Sequence, residues 1–319
     1  MYYIGVDIGG TNLVVGVLDD NKNIIFKSKC KTNVPRSGRD ICDDIRRLIE
    51  NSLKSVNVDL KDVHSIGLGC PGAVNTNSGV IEYSPNLFLE NFELRNEMAK
   101  FFSKKIFIGN DANLAALGEY MQGAAQHSST SITLTIGTGI GTGVIIGGKI
   151  YTGFNYMAGE TGHMVIYKNG RRCACGRRGC FETYASARGL VRTTKEILSK
   201  FDRDSTIMWD MVDGYIEKVS GRTAFTAMKQ QDLVAKQVVD AYIADLACGV
   251  TNLVNMIQPE VLCIGGGLSN EGDFLLDPLR EIVYRESYNS HSSKKTSIVK
   301  AQLGNDAGII GAALQGVKL

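Results

Sequence analysis

The chain has 319 residues, with 35 lysines and arginines against 33 aspartates and glutamates. This near balance leaves no basic surface of the kind that nucleic-acid binding needs, so we expect no nucleic-acid partner. The length exceeds what one hydrophobic core usually serves and favours two domains.

The first ten residues carry no cationic segment, and no apolar run approaches the roughly 20 residues that cross a bilayer. We therefore expect a cytoplasmic protein without a membrane partner. Eight cysteines are present, but five are scattered and three cluster between 173 and 180. A disulfide framework is typical of short secreted domains, so metal binding explains the cluster better.

Two stretches share the pattern of a strand meander in which a glycine-rich turn follows the first strand. Their similarity indicates a degenerate internal duplication. The predicted strands are 2–7, 13–18 and 24–28 in the first stretch, and 131–136, 144–146 and 149–152 in the second.

Helical and strand patterns alternate around these meanders and predict an α/β protein. The stretch from 187 to 245 has helical spacing and predicts a helix-rich second domain, with a boundary near 118–128. The individual predictions are helices at 40–53, 232–250 and 307–315, and strands at 64–68, 105–108 and 261–264.

Each meander contains a glycine turn that can cradle a phosphate, because glycines let backbone N–H groups approach an anion closely. At the end of the first strand, Asp7 can hold Mg²⁺. An ordinary hairpin turn is the alternative for either turn alone, and the pair together favours phosphate binding. The candidate residues are Asp7, Gly9, Gly10, Thr11 and Asn12 in the first turn, and Gly137, Thr138, Gly139 and Gly141 in the second.

Asp111 lies where the strand predicted at 105–108 gives way to a helix. Ligand sites of α/β proteins form at such junctions, and a carboxylate there can accept the proton of an attacking hydroxyl. An Asn or Asp at this point also suits a helix N-cap, which the local sequence alone favours. Both interpretations remain open from the residues.

A metal site is predicted from His163, Cys173, Cys175 and Cys180, whose H-x9-C-x-C-x4-C spacing offers four ligands for tetrahedral zinc. With no ligand position left open, such a zinc is structural and stiffens the loop 159–182. Glu160 and Glu182 flank the cluster and can accept hydrogen bonds from sugar hydroxyls, or they are ordinary solvated glutamates.

Taken together, these motifs resemble the ROK family of repressors, open reading frames and kinases, within the actin-like hexokinase superfamily. The resemblance runs over essentially the whole chain. The segments that carry it are 7–12, 69–72, 85–87, 110–119, 137–143, 159–163, 173–182 and 265–269. Two residues depart from it: Thr161 stands where an aliphatic residue is usual, and Phe181 stands where Leu or Ile is common.

The resemblance implies a two-domain actin-like (ribonuclease H-like) ATPase fold with an active-site cleft between the domains. We place these at 1–118 and 119–302, with a C-terminal helix at 303–319 packing back on the first domain. A homodimer, or a dimer of dimers, is also expected.

For function, the resemblance implies an ATP-dependent sugar kinase that uses Mg²⁺ and carries a structural Zn²⁺. Asp111 is then the catalytic base, and His163 serves both metal and sugar. The implied sugar contacts are Asn86, Asn110, Asp111, Glu160, His163 and Glu182, and Gly265, Gly266 and Gly267 lie near the adenosine.

Glucose is the expected acceptor, phosphorylated at its primary hydroxyl. N-acetylmannosamine, allose and fructose kinases of the family share the same motifs, so these sugars are alternatives. A non-enzymatic sugar-sensing repressor is the other rival. We expect no helix-turn-helix module, since Asp7 lies so near the start of the sequence, and the retained turns and Asp111 favour an enzyme.

Overall fold

The computed structural model describes residues 1–317, which divide into two compact units. The first unit comprises Met1–Thr133, Gly143–Gly159 and the described residues from Ala301 onward, and the second comprises Leu134–Thr142 and Glu160–Lys300. Within residues 1–317, no helix combines the length and apolar character needed to span a membrane.

The chain contains both strands and helices along its length, as expected for an α/β fold. Up to residue 122 the elements are β1 (Tyr2–Ile8), β2 (Asn12–Leu18), β3 (Ile24–Lys31), α1 (Gly38–Ser55), β4 (Val63–Cys70), β5 (Ala73–Asn75), β6 (Val80–Ser84), β7 (Leu89–Phe92), α2 (Leu94–Ala99), β8 (Lys105–Asn110) and α3 (Asp111–Gln122). The remaining elements are β9 (Thr130–Ile136), β10 (Ile140–Ile146), β11 (Lys149–Ile150), α4 (Glu182–Ala185), α5 (Ala187–Leu198), α6 (Met208–Met211), α7 (Thr223–Lys229), α8 (Leu233–Ile257), β12 (Val261–Gly265), α9 (Asp273–Glu286), β13 (Ser297–Lys300) and α10 (Ala307–Leu314).

The main sheet of the first unit has the strand order β3-β2-β1-β4-β8. Strands β1, β2 and β3 form the predicted antiparallel meander, while β4 and β8 run parallel to β1. A small antiparallel sheet, β5-β6-β7, follows β4 and had no counterpart among the sequence predictions. The parallel strands matter for function, because their carboxyl ends meet at one edge of the sheet.

Helices cover both faces of this sheet. The amphipathic helix α1 buries Ile41, Ile45 and Ile49 in one core cluster, and its N-cap Ser37 accepts the Asp40 N–H at 3.2 Å. On the other face α10 and α3 form a second cluster. Helix α10 lies directly on β1, since a Cβ at Gly5 would stand only 2.0 Å from the Ile309 carbonyl oxygen.

The other five-stranded sheet has the strand order β11-β10-β9-β12-β13, and β12 and β13 are parallel. The longest helix is α8, which extends beyond the predicted 232–250 at its C-terminal end. Asp232 caps this helix by accepting the Ala235 N–H at 2.7 Å, and the helix ends at Gln258 in the left-handed conformation.

The units divide the chain at other points than the predicted boundary between 118 and 119. That boundary falls inside α3, which continues to Gln122 and packs against α10 within the first unit. Because a helix packed along its length on one core cannot be split between two domains, Glu119 belongs with the first unit. The helix predicted at 303–319 is observed as α10, and residues 318 and 319 lie outside the described residues.

Candidate active site

In the first unit, two acidic side chains lie at the carboxyl edge of the main sheet. The register pairs Asp7 with Gly69, Gly69 with Gly109, and Cys70 with Asn110. Asp7, near the end of β1, and Asp111, directly after β8, therefore lie at the same edge. Burial, and then the nearby charge of Asp111, raise the pKa of Asp7 to about 6. Burial also raises the pKa of Asp111 above its ordinary value, while the Ala112 N–H lowers it.

Asn110 is the N-cap of α3. Its Oδ1 accepts the Asn113 N–H at 3.1 Å, and its Nδ2 donates to the Gly72 carbonyl at 3.1 Å. The capping role that the local sequence suggested for Asp111 therefore belongs to its neighbour. Asp111 stands in the first turn, where its Oδ1 accepts the Ala112 N–H at 2.8 Å.

The first glycine turn connects β1 to β2 beside this edge. The Gly9 N–H donates to the Asn12 carbonyl at 2.9 Å, and the Gly9 carbonyl accepts the Thr32 hydroxyl at 2.5 Å. A Cβ at Gly10 would meet the Asn86 carbonyl oxygen at 3.0 Å. The structure thus brings Asn86, a predicted sugar contact, next to a predicted phosphate turn.

The second glycine turn belongs to the second unit and connects β9 to β10. The Gly137 N–H donates to the Gly139 carbonyl at 3.0 Å, and the Gly137 carbonyl accepts the Ala187 N–H at 2.9 Å. A Cβ at Gly266 would stand 2.3 Å from the Ile136 carbonyl oxygen. The triplet Gly265 to Gly267 and the second turn are therefore neighbours, as a shared nucleotide site requires.

A surface groove of about 560 Å³ extends from Thr138 of this turn along α5. Its lining combines apolar and charged side chains: Ala187, Val191, Arg188, Arg192, Lys195 and Glu196. An apolar lining with an excess of cationic side chains suits a ligand that has both an apolar part and negative charge.

The four predicted metal ligands converge in the second unit. The ligand atoms of His163, Cys173, Cys175 and Cys180 all lie within 4.8 Å of one another. The Cys173 Sγ to His163 Nδ1 distance and the Cys175 Sγ to Cys180 Sγ distance are both 3.6 Å. Ligand atoms around a tetrahedral zinc stand about 3.5–3.8 Å apart, so donor type and spacing both fit this ion.

Glu182 lies between the cysteine and histidine cluster and the second glycine turn. Its Oε1 accepts the Cys173 thiol at 3.1 Å and is 3.7 Å from His163 Nδ1. Its Oε2 is 2.7 Å from the position of a Cβ on Gly139. A rigid metal loop would thus fix this carboxylate close to the turn. Glu160 is exposed and begins the longer segment of the second unit.

Two buried threonines connect the start of this loop to the second turn. The hydroxyl groups of Thr142 and Thr161 share a hydrogen bond of 2.5 Å. Thr161 departs from the family pattern, and in the structure its hydroxyl has Thr142 as a hydrogen-bond partner. The sequence marked the position but offered no means of finding Thr142.

Arg171 anchors the middle of the loop and was not among the predicted residues. Its guanidinium lies 4.5 Å from the centre of the Tyr184 ring and donates to the Thr183 carbonyl and the Thr193 hydroxyl, both at 3.0 Å. The Tyr167 hydroxyl donates to the buried Asp245 carboxylate of α8 at 2.6 Å. These contacts hold the loop to α4, α5 and α8 independently of any metal.

Comparison with known proteins places these features in one family. The model of the ROK family matches residues 3–315. A glucokinase of Thermotoga maritima is 37% identical over 312 residues, which cover 97% of this chain and 95% of that protein. A xylose repressor of Caldicellulosiruptor bescii is 31% identical over 285 residues, covering 89% of this chain and 70% of the repressor.

Among solved structures, a ROK family glucokinase from Streptomyces griseus in complex with glucose and AMPPNP is similar with a TM-score of 0.81. The two sequences are 32% identical, and the similarity covers 98% of each chain. This agreement over the whole chain supports the predicted two-domain α/β fold.

Proposed function

The chain belongs to the ROK family, and we propose that it is an ATP-dependent sugar kinase that phosphorylates the primary hydroxyl of a hexose, with glucose as the acceptor. The glucokinases of Thermotoga maritima and Streptomyces griseus support this assignment. One observation in this chain supports it most strongly. Asn110 supplies the cap of α3, which leaves the Asp111 carboxylate available at the sheet edge.

Asp111 is the proposed base. It takes the proton of the hexose hydroxyl as the oxygen attacks the γ-phosphorus of ATP, while the bond from that phosphorus to the ADP oxygen breaks. Burial raises the pKa of this carboxyl, which makes it a better proton acceptor than an exposed aspartate. The products are hexose 6-phosphate and ADP.

The phosphates of ATP bind to the two glycine turns in this proposal. The first turn offers N–H groups and the Thr11 and Asn12 side chains, and the second offers Gly137 to Gly141 with Thr138. Gly265 to Gly267 lie near the adenosine. Asp7 holds the magnesium ion or its waters, and Mg²⁺ when bound neutralises phosphate charge.

The proposed sugar contacts are Asn86, Asn110, Glu160, His163 and Glu182. The proposed zinc is structural, because His163 and the three cysteines fill a tetrahedral shell and leave no position for water or substrate. Its role is to fix the loop that carries Glu182, with no part in the transfer of the phosphoryl group.

Two rivals remain after the comparisons. A sugar-sensing repressor is represented among the relatives by the xylose repressor of Caldicellulosiruptor bescii. The second rival is a kinase for N-acetylmannosamine, allose or fructose. Measurable turnover would distinguish the proposed kinase from a repressor. The identity of the preferred acceptor would distinguish a glucose kinase from a kinase for another sugar.

A coupled assay of ADP release over a hexose panel tests the proposal. We expect the highest kcat/KM with glucose and weaker turnover with N-acetylmannosamine, allose and fructose. Preference for another of these sugars would leave the kinase assignment in place and replace its substrate. Absence of turnover with every sugar, combined with measurable glucose binding, would favour the repressor.

The cytoplasmic location, expected from the sequence features, and the homodimer also stay predictions. Sedimentation equilibrium of the purified protein distinguishes the dimer from a monomer or a dimer of dimers.

A further inference from the structure

Glu119 is a buried carboxylate that the proposed mechanism does not use. It lies near the C-terminal end of α3 with 0% of its surface exposed. Within residues 1–317, no lysine, arginine or histidine forms an ion pair with it. Removing a carboxylate from water is costly, so the fold must supply other partners to this group.

The partners of this carboxylate are three backbone N–H groups. Oε2 accepts from Ala124 at 2.9 Å and from Gln302 at 3.1 Å, and Oε1 accepts from Leu303 at 2.8 Å. The Glu119 carbonyl also accepts the N–H of Gly123 at 3.0 Å, which ends the helix. One residue therefore joins the end of α3 to the turn after it and to the segment that leads into α10.

The backbones of α3 and α10 pack closely, so the connection through Glu119 depends on how the two helices are aligned. A Cβ at Gly118 would stand 2.2 Å from the Ala307 carbonyl oxygen, and one at Gly311 would stand 1.8 Å from the Leu114 carbonyl oxygen. Helices α3 and α10 thus touch through their backbones. The carboxylate of Glu119 fixes where α3 sits along α10.

We infer that Glu119 is a positioning residue for the phosphoryl transfer, since it sets the place of Asp111 at the other end of the same helix. This inference rests on the proposed function. A helix of 12 residues transmits an axial displacement from one end to the other. A shift of about 1 Å in a catalytic group can reduce turnover on the order of 100-fold.

The exchange Glu119→Gln tests the connection with little change in shape. An amide has one acceptor oxygen, so in either orientation its NH₂ group faces at least one backbone N–H donor. We expect kcat to fall about 10- to 100-fold at a temperature where the variant is fully folded. The KM for ATP should stay within about twofold, because the proposed nucleotide contacts lie on other elements.

A second variant displaces the carboxylate without altering it. In Gly123→Ala the new methyl carbon would stand 2.1 Å from Glu119 Oε2, so the carboxylate has to move away from its donors. We expect the same loss of kcat. Gly308→Ala in α10 is the matched control, because apart from its chain neighbours and its own helix backbone nothing lies within 4 Å of the new methyl carbon, and kcat should not change.

A control for simple destabilisation is Ile49→Val, which weakens the core on the opposite face of the sheet. It should lower the Tm without changing kcat. If Glu119→Gln and Gly123→Ala lower the Tm but keep wild-type kcat, Glu119 is only structural and the inference is wrong. Equal losses of kcat in Ile49→Val would contradict it as well. Failure of the wild-type protein to phosphorylate any hexose would instead overturn the proposed function.

Discussion

Asn110 and Asp111 are adjacent in sequence but have different roles in the structure: the Asn110 side chain accepts the Asn113 N–H and caps α3, and Asp111 is left in the first turn at the sheet edge. Both residue types are good helix caps, so the sequence could not decide between them. The structure assigns the cap to Asn110, and the catalytic role of Asp111 stays a proposal.

The Asp7 carboxylate should lower the free energy of unfolding at neutral pH, because burial raises its pKa from 3.8 to about 6. The folded state holds a proton that the unfolded state releases between these values, so stability falls as the pH rises through this window. Asp7→Asn removes the penalty. We expect it to raise the free energy of unfolding by about 1–3 kcal/mol at about pH 7.5 and to change it little below about pH 4.

Urea unfolding of both proteins at the two pH values measures this difference. Asp7→Asn should at the same time lose most kinase activity, since the proposed magnesium contact is gone. A variant that is no more stable than the wild type at neutral pH would show that the Asp7 carboxylate is adequately solvated.

The metal cluster should bind one zinc ion per chain through His163, Cys173, Cys175 and Cys180. Cys180→Ser removes a fully buried ligand, so we expect loss of the bound zinc and a lower Tm. The KM for glucose should rise more than kcat falls, because the loop that fixes Glu182 loosens. Elemental analysis of the purified protein and steady-state kinetics measure these effects.

Cys248→Ser is the matched control, because Cys248 is exposed and lies outside the cluster. It should keep the zinc, the Tm and the KM of the wild type. Full activity of a zinc-free wild-type protein would show that the loop is held by its protein contacts alone, those of Arg171 and Tyr167 among them.

The hydrogen bond between Thr142 and Thr161 should appear as coupling between the two residues. Thr161→Val alone leaves the buried Thr142 hydroxyl without its partner and should cost about 1–2 kcal/mol of unfolding free energy. The double replacement by valine removes both polar groups and should cost less than the sum of the two single changes.

A double-mutant cycle measured by chemical denaturation gives this coupling energy, expected at about 1 kcal/mol. Additive single effects would mean that the two hydroxyl groups do not stabilise one another.

Local sequence patterns predicted those elements whose structure is determined by the residues of a single segment. The meander of β1 to β3 follows from strand and turn preferences, and α1 follows from its apolar spacing. The cluster from His163 to Cys180 could be predicted because its proposed ligands lie close together in the sequence. The strands β5 to β7 were missed, since short strands of three to five residues carry little periodic signal.

Contacts between distant segments could not be predicted in this way. Thr142 meets Thr161, Arg171 meets Thr193, and Glu119 meets Leu303 only after the chain has folded. None of these pairs has a spacing that secondary structure explains. The packing of α3 against α10 is a contact of the same kind, since it joins two segments that are distant in the sequence.

The most direct test of the proposed function compares turnover with substrate binding in Asp111→Asn. This exchange keeps the size of the side chain and removes its ability to take a proton. We predict that kcat with glucose falls at least about 1,000-fold while the affinity for glucose, measured by calorimetry, stays within about threefold of the wild type. Wild-type turnover in this variant would show that Asp111 is not the base and contradict the proposed mechanism.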